Sequence, residues 1–228
     1  MRLAELFYSV QGEGRLLGTP SVFVRTSGCN LRCEWCDTPY TSWRAVGQTW
    51  SIERILRRVA KYPTRHVVIT GGEPFLASEL TELTSRLKEA GAHITIETAA
   101  TVFKPVSCDL VSLSPKLSNS TPRRRDRGRF ATMHEERRLN VPAIQQFIGN
   151  YDYQLKFVVE KKRDLTEIQE ILEKLRNVDP SRVFLMAQAV TRKDLRDKGQ
   201  WIVDLCKGHG YRYSPRLHIE LFGNRRGT

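Results

Sequence analysis

Nowhere in this 228-residue chain do apolar residues run on for anything like the ~20 positions that a bilayer-spanning helix requires, so a membrane protein of that kind is not expected. The opening stretch, MRLAELFYSVQGEG, has neither the apolar core nor the small-residue cleavage site of a secretory leader, and a cytoplasmic location is the expectation. Cysteine is scarce: there are five, of which Cys29, Cys33 and Cys36 fall inside SGCNLRCEWCDT and only Cys108 and Cys206 lie elsewhere. In a reducing compartment such clustering favours metal ligation over disulfides. Acidic residues are also in short supply. The 25 Asp and Glu against 37 Lys and Arg leave a net charge of +12, which attracts polyanions. The densest basic run, RRRDRGR (Arg123 to Arg129), follows LSNSTP and is not interleaved with aromatics as a base-stacking platform would be. The ending FGNRRGT adds two more arginines. Neither stretch matches a nucleic-acid module. The expectation is a solvated basic loop touching an anionic ligand or a second subunit, with no nucleic acid as partner.

What is present is ordinary for a globular chain: 40% hydrophobic and 27% charged residues. A single domain over residues 1–228 with a sizeable core is expected. No solenoid-type repeat is visible.

Strand-like and helix-like segments alternate. SVFVRTS (21–27), HVVIT (66–70), HITIET (93–98), DLVSLSP (109–115), YQLKFVV (153–159), RVFLMAQ (182–188) and RLHIEL (216–221) read as strands, from their β-branched and aromatic content. SIERILRRVAKY (51–62), with Ser51 as N-cap, and SELTELTSRLKEAG (78–91), with Ser78 as cap and Gly91 at its end, read as amphipathic helices. So do residues 164–176 and 194–210, and residues 139–148 read as a helix broken near Pro142. About six βα units predict an α/β fold with parallel strands, a partial (β/α)6 barrel whose function gathers at the C-terminal strand ends.

The spacing Cys-x3-Cys-x2-Cys poses the chemical question. A structural zinc site closes with four protein ligands. Here the next histidine is His66, a helix and a strand away, and the Asp37 side chain is expected to point away from a shared centre. Core packing of the thiols does not suit so polar a turn. A [4Fe–4S] cube with three thiolates keeps one iron open to a small molecule, which turns an electron carrier into a catalytic centre. Gly28 permits an unusual backbone angle before the loop. Trp35 is either a shield for such a cluster or ordinary core.

With Trp35 before the last cysteine, this motif resembles the radical S-adenosylmethionine superfamily, in which the open iron chelates the amino and carboxylate groups of S-adenosylmethionine. TGGEP (Thr70 to Pro74), at the end of the next apolar strand, resembles the segment that contacts the methionine part of that cofactor. Two glycines open the backbone to a ligand, and Glu73 offers a carboxylate for an ammonium group. Further segments resemble one family, 7-carboxy-7-deazaguanine synthase, from end to end: FYSVQGEGRLLGTPSVFVRTSGCNLRCEWCDT, ETAAT (97–101), LSPKLSNS (113–120), YDYQLKFVV (151–159), VFLMAQ (183–188) and SPRLHIELFGNRRG.

That resemblance implies a lyase of 7-deazapurine (queuosine) biosynthesis. It would convert 6-carboxy-5,6,7,8-tetrahydropterin to 7-carboxy-7-deazaguanine with release of ammonia. A 5′-deoxyadenosyl radical would take hydrogen from C6 of the substrate and later return it. It implies substrate contacts at Val10, Gln11, Gly12, Glu13, Arg25 and Thr70. Cofactor contacts are implied at Trp35, Cys36, Asp37, Gly72, Glu73, Ser114, Pro115, Lys116, Met186 and Gln188. Cluster ligation falls to Cys29, Cys33 and Cys36, and a magnesium contact to Thr38. The chemistry agrees: Arg25 is a planar fork for a carboxylate, and Gln11 with Glu13 can read a pterin's amino and ring N–H groups. Without the resemblance QGEG is a glycine-rich turn, Arg25 a surface ion-pair partner and SPK (114–116) a turn with a surface lysine. The resemblance also implies a homodimer and a reductant such as flavodoxin or ferredoxin. Ala99 departs from the family's usual asparagine after ET, which puts one cofactor contact in doubt. Two alternatives stand beside this reading: a glycyl-radical-activating enzyme, and a zinc-binding basic nucleic-acid module.

Overall fold

Period-two alternation along the strands decides which side chains meet the helices and which face the other way. In the computed structural model, which describes residues 1–228, this division organises the molecule. The strands are β1 (Arg2–Val10), β2 (Pro20–Thr26), β3 (Gln48–Thr49), β4 (His66–Gly71), β5 (His93–Thr98), β6 (Leu110–Leu113), β7 (Tyr153–Val159), β8 (Val183–Ala187) and β9 (Arg212–Ser214). The helices are α1 (Ile52–Val59), α2 (Leu80–Glu89), α3 (Ala131–Arg137), α4 (Val141–Asn150), α5 (Asp164–Glu173), α6 (Arg192–His209) and α7 (Leu217–Phe222). They build one open nine-stranded sheet in the order β3-β1-β2-β4-β5-β6-β7-β8-β9. From β2 to β9 every pairing is parallel, the partial barrel that the βα alternation predicts; β1 joins β2 and β3 antiparallel.

β7 shows the division most clearly, because all seven of its residues are buried. Leu155, Phe157 and Val159 enter the main core, while Lys156 and Val158 line a pocket on the opposite face. In β2, Val22 and Val24 enter the core and Phe23 and Arg25 face the pocket. Helical spacing supplies the complementary stripe: Ile52, Ile55 and Val59 of α1, Leu80, Leu83 and Leu87 of α2, and Ile144, Phe147 and Ile148 of α4.

Several local expectations are corrected. Residues 216–221 form α7, not a strand. The sheet ends at the three-residue β9, and Pro215 follows it with no N–H to continue the ladder. Of the alternating Leu217, Ile219 and Leu221, only Ile219 is buried. Pro142 does not break a helix. It occupies the first turn of α4, where its missing donor costs nothing, and Asn140 caps that turn by accepting from Ala143 N at 3.2 Å. Ser78 is not the cap of α2; Glu79 precedes Leu80 and no side chain caps the helix. Ser51 caps α1 as expected, accepting from Arg54 N at 3.2 Å. Strand β1, next to the two-residue edge strand β3, and helix α3 have no counterpart among the sequence expectations. The pattern of β1 is broken by a register shift between Leu3 and Glu5, and α3 buries only His134.

Candidate active site

The cysteine segment has almost no regular structure, so its shape rests on contacts with the loops that follow neighbouring strands. Gly28 stands at φ +110°, a conformation that favours glycine, and donates to Thr41 O at 2.9 Å. Its carbonyl accepts from Glu73 N at 2.9 Å. Arg32 N donates to His134 Nδ1 at 3.1 Å, and Glu34 N to Ser120 O at 2.7 Å. Trp43 Nε1 donates to Cys33 O, and Trp35 Nε1 to Asn119 O, both at 3.0 Å. His134 is fully buried, and burial lowers its pKa to about 4. It is therefore neutral at ordinary pH, with Nε2 2.8 Å from the Ser120 hydroxyl, and it pins the loop as an uncharged clamp.

Cys29, Cys33 and Cys36 all line the same pocket, as free thiols. Burial pushes the Cys29 thiol up to about 11 and the Cys33 thiol higher still. Leu31, Cys33 and Ala99 form a small apolar cluster, separate from the main core, with Cys29 and Cys36 packed against it.

From the next strand, Gly71 and Gly72 bring backbone against this loop. Gly71 stands at φ +135° between the backbone of Thr26 and the pocket. A Cβ on Gly72 would fall on the Gly28 carbonyl oxygen, far inside contact distance. Gly72→Ala is therefore expected to push the cysteine loop aside. The expected result is protein that folds but retains well under the wild-type iron after anaerobic reconstitution, checked by iron and sulfide analysis. Full iron content would contradict the close approach.

A charged network lines another part of the same pocket. Glu13 accepts from Lys156 Nζ and, at 3.0 Å, from Arg216 Nε. Arg216 also pairs with Asp37 and donates to Ala189 O at 2.6 Å. Burial by itself would raise the Glu13 pKa, but the Lys156 and Arg216 cations outweigh it and hold the carboxyl well below its usual range. Burial lowers the His218 pKa, leaving that ring neutral 4.0 Å from Glu13. Gln11 is fixed on both sides, its Nε2 donating to Glu97 at 3.1 Å and its Oε1 accepting from Glu13 N at 3.1 Å. Thr70 Oγ1 donates to the other Glu97 oxygen at 2.8 Å. Arg25 donates from Nε to Glu5 at 2.7 Å, and its terminal nitrogens have no intramolecular hydrogen bond. Sulfur wall and charged wall enclose a cavity of about 350 Å³, a volume suited to small molecules.

The model of the radical SAM superfamily matches residues 23–141. The 7-carboxy-7-deazaguanine synthase of Rhodopirellula baltica is 48% identical over 99% of this chain and 88% of its own length. That of Halobacterium salinarum is 44% identical over 96% and 90%. The chain belongs to the 7-carboxy-7-deazaguanine synthase family. QueE from Escherichia coli, a solved structure, superposes with a TM-score of 0.71 at 27% identity over 95% of this chain and 94% of that one. SuiB from Streptococcus suis, at 16% identity and a TM-score of 0.56, shares the fold alone.

The chain is thus a radical SAM enzyme, a lyase, and membership in that family implies a [4Fe–4S] cluster and S-adenosylmethionine. The residues fit such a cluster. The donor set is sulfur only, and buried thiols with raised pKa values need adjacent cationic iron to persist as thiolates. The family membership, shown over nearly the whole chain, supports the cluster reading and not the zinc-binding or glycyl-radical-activating alternatives. No helix is long and apolar enough to cross a membrane.

All the expected site residues line the cavity except Glu73 and Pro115. Glu73 is 1% exposed and accepts from Phe75 N, Thr98 Oγ1 and Ala99 N at 3.2, 2.7 and 2.9 Å. Its carboxylate holds the loop after β5, and Thr70, Gly71 and Gly72 are the residues of TGGEP that line the cavity. Ser114 and Lys116 do face the cavity, joined by a 2.8 Å hydrogen bond from Nζ to Oγ. Ala99 lines it too, but through a small apolar side chain in place of an amide. The sequence reading missed Lys156, Arg216, His218 and Glu97. Lys156 carried a signal: a lysine within YQLKFVV, among apolar strand neighbours, needs a buried partner.

Proposed function

We propose that this enzyme converts 6-carboxy-5,6,7,8-tetrahydropterin to 7-carboxy-7-deazaguanine with release of ammonia, within 7-deazapurine (queuosine) biosynthesis. The observation that carries the reading is that the three-thiol wall and the carboxylate–cation wall face one small-molecule cavity. When bound, the cluster and S-adenosylmethionine supply the one-electron cleavage that yields a hydrogen-abstracting radical.

The residues do the rest. Arg25, held at Nε by Glu5, turns its terminal nitrogens to the substrate carboxylate. Gln11, fixed by Glu97, and Glu13, kept ionised by Lys156 and Arg216, orient the amino and ring N–H groups of the pterin. Ser114, Lys116, Met186 and Gln188 border the nucleoside side of the cofactor. Thr38, beside Asp37 and with Oγ1 3.5 Å from the Thr41 hydroxyl, is the proposed protein contact of a magnesium ion. One hydroxyl suits a hard cation that keeps water and substrate oxygens as its other ligands. A single catalytic domain, a homodimer and a small redox protein as reductant complete the proposal.

Substrate-dependent formation of the deazaguanine by the anaerobically reconstituted enzyme tests the reaction. Arg25→Ala tests the pocket. It is expected to raise the Michaelis constant for substrate by on the order of ten- to a hundred-fold, the loss of a charge-assisted hydrogen bond, with iron content unchanged. An unchanged Michaelis constant would contradict the role assigned to Arg25.

A further inference from the structure

The basic run between β6 and α3 is not part of the pocket, yet the structure bolts it to the cysteine segment. The backbone N–H groups of Arg124 and Arg125 donate to Glu34 Oε2 at 3.0 and 3.3 Å. Arg125 also donates from Nη1 to Glu34 O at 3.3 Å, and its guanidinium stacks 4.3 Å above the Trp43 ring. That ring in turn donates to Cys33 O at 3.0 Å. Glu34 lies between Cys33 and Cys36, so the loop is packed directly against the cluster-bearing segment.

The other guanidinium groups point outward. The side chains of Arg123 and Arg124 are 74% and 87% exposed, and their acidic neighbours, Glu135 and Glu34, stand 3.9 Å away in each case. Arg127 and Arg129 are exposed as well. Asp126 is the only acid within the run of five arginines. The nearby rings are covered by cations, Trp43 by Arg125 and Phe130 by Arg32 and Arg129, so the patch has charge without a base-stacking surface. This combination suits an acidic protein better than a nucleic acid.

We propose that the 123–129 loop is the docking surface for an acidic one-electron donor protein that reduces the cluster held by Cys29, Cys33 and Cys36. The proposal rests on the cluster assignment above. Each delivery oxidises the donor by one electron and reduces the cluster by one, and no bond or proton changes on this chain. Complementary charge steers the encounter and makes it salt-sensitive.

The test uses the full chain with its reconstituted cluster, and a flavodoxin, an acidic flavin protein, as probe. Binding of flavodoxin is expected to weaken as salt rises. The triple variant Arg123→Glu/Arg124→Glu/Arg127→Glu is expected to lose roughly ten-fold in affinity and to slow bleaching of the cluster by reduced flavodoxin by a similar factor. The corresponding triple glutamine variant is expected to fall between. Iron content and turnover driven by dithionite, which needs no docking, stay at the wild-type level in both. Salt-insensitive or absent binding by the wild-type chain overturns the proposal. So does unchanged binding by the glutamate variant, or a variant that loses RNA binding while keeping flavodoxin. Intact binding and bleaching without any deazaguanine under dithionite supports the docking surface and refutes the reaction assigned above.

Discussion

Replacing Arg216 with alanine is expected to destabilise the folded chain by about 3 kcal/mol, the lower end of the range for breaking a buried ion pair. Arg216 is 6% exposed and binds Glu13, Asp37 and the Ala189 carbonyl at once. Its removal leaves the buried Glu13 carboxylate with Lys156 as its remaining close ion-pair partner and Asp37 with none. The lower figure is chosen because Lys156 persists and because Asp37 is partly solvated. Urea denaturation of wild type and variant at neutral pH measures the loss, and equal midpoints would contradict the network. The pH dependence carries a second sign. The folded-state pKa of Glu13 is depressed, so its stabilisation is complete above the unfolded carboxyl value of about 4.3 and is lost as pH falls through the folded value. Arg216→Ala removes part of that depression, so its stability should decline less steeply on acidification below about pH 4 than that of the wild type.

Cys33→Ala is expected to abolish the chemistry while sparing the fold. Cys33 packs in a three-residue apolar cluster apart from the main core, so removing its sulfur costs on the order of 1 kcal/mol. Removing one of three sulfur ligands, however, leaves two irons of a four-iron cube without protein ligands. Iron should fall from about four per chain to near zero after anaerobic reconstitution, with no detectable cleavage of S-adenosylmethionine. Cys108→Ala and Cys206→Ala serve as controls. Neither residue lines the cavity, so both should keep full iron. A Cys33→Ala chain that retains a full cluster would refute the ligand assignment.

The alternation of strand and helix was legible because period-two and period-3.6 patterns report which face is buried, and β7 and α1 follow them closely. The cysteine segment and its glycine partners were legible because spacing and residue type there are dictated by chemistry. Residues 216–221 misled because Leu217, Ile219 and Leu221 imitate a strand, while the end of the sheet at Ser214 is a tertiary fact that no local pattern carries. GGEP reads as a ligand loop, with Glu73 offering a carboxylate to an ammonium group. That its carboxylate also accepts from Thr98 and Ala99 is a tertiary contact that no local pattern carries. The Glu13 network joins β7, the turn after β1 and the segment before α7, residues up to 203 positions apart, so no window of sequence could assemble it.

The most direct test of the account is anaerobic turnover by the reconstituted chain supplied with 6-carboxy-5,6,7,8-tetrahydropterin, S-adenosylmethionine, magnesium and dithionite. The predicted result is a brown protein with about four iron that forms 7-carboxy-7-deazaguanine and an equal amount of ammonia, many times over per S-adenosylmethionine present. A brown protein that binds S-adenosylmethionine yet forms no deazaguanine from this substrate would contradict it.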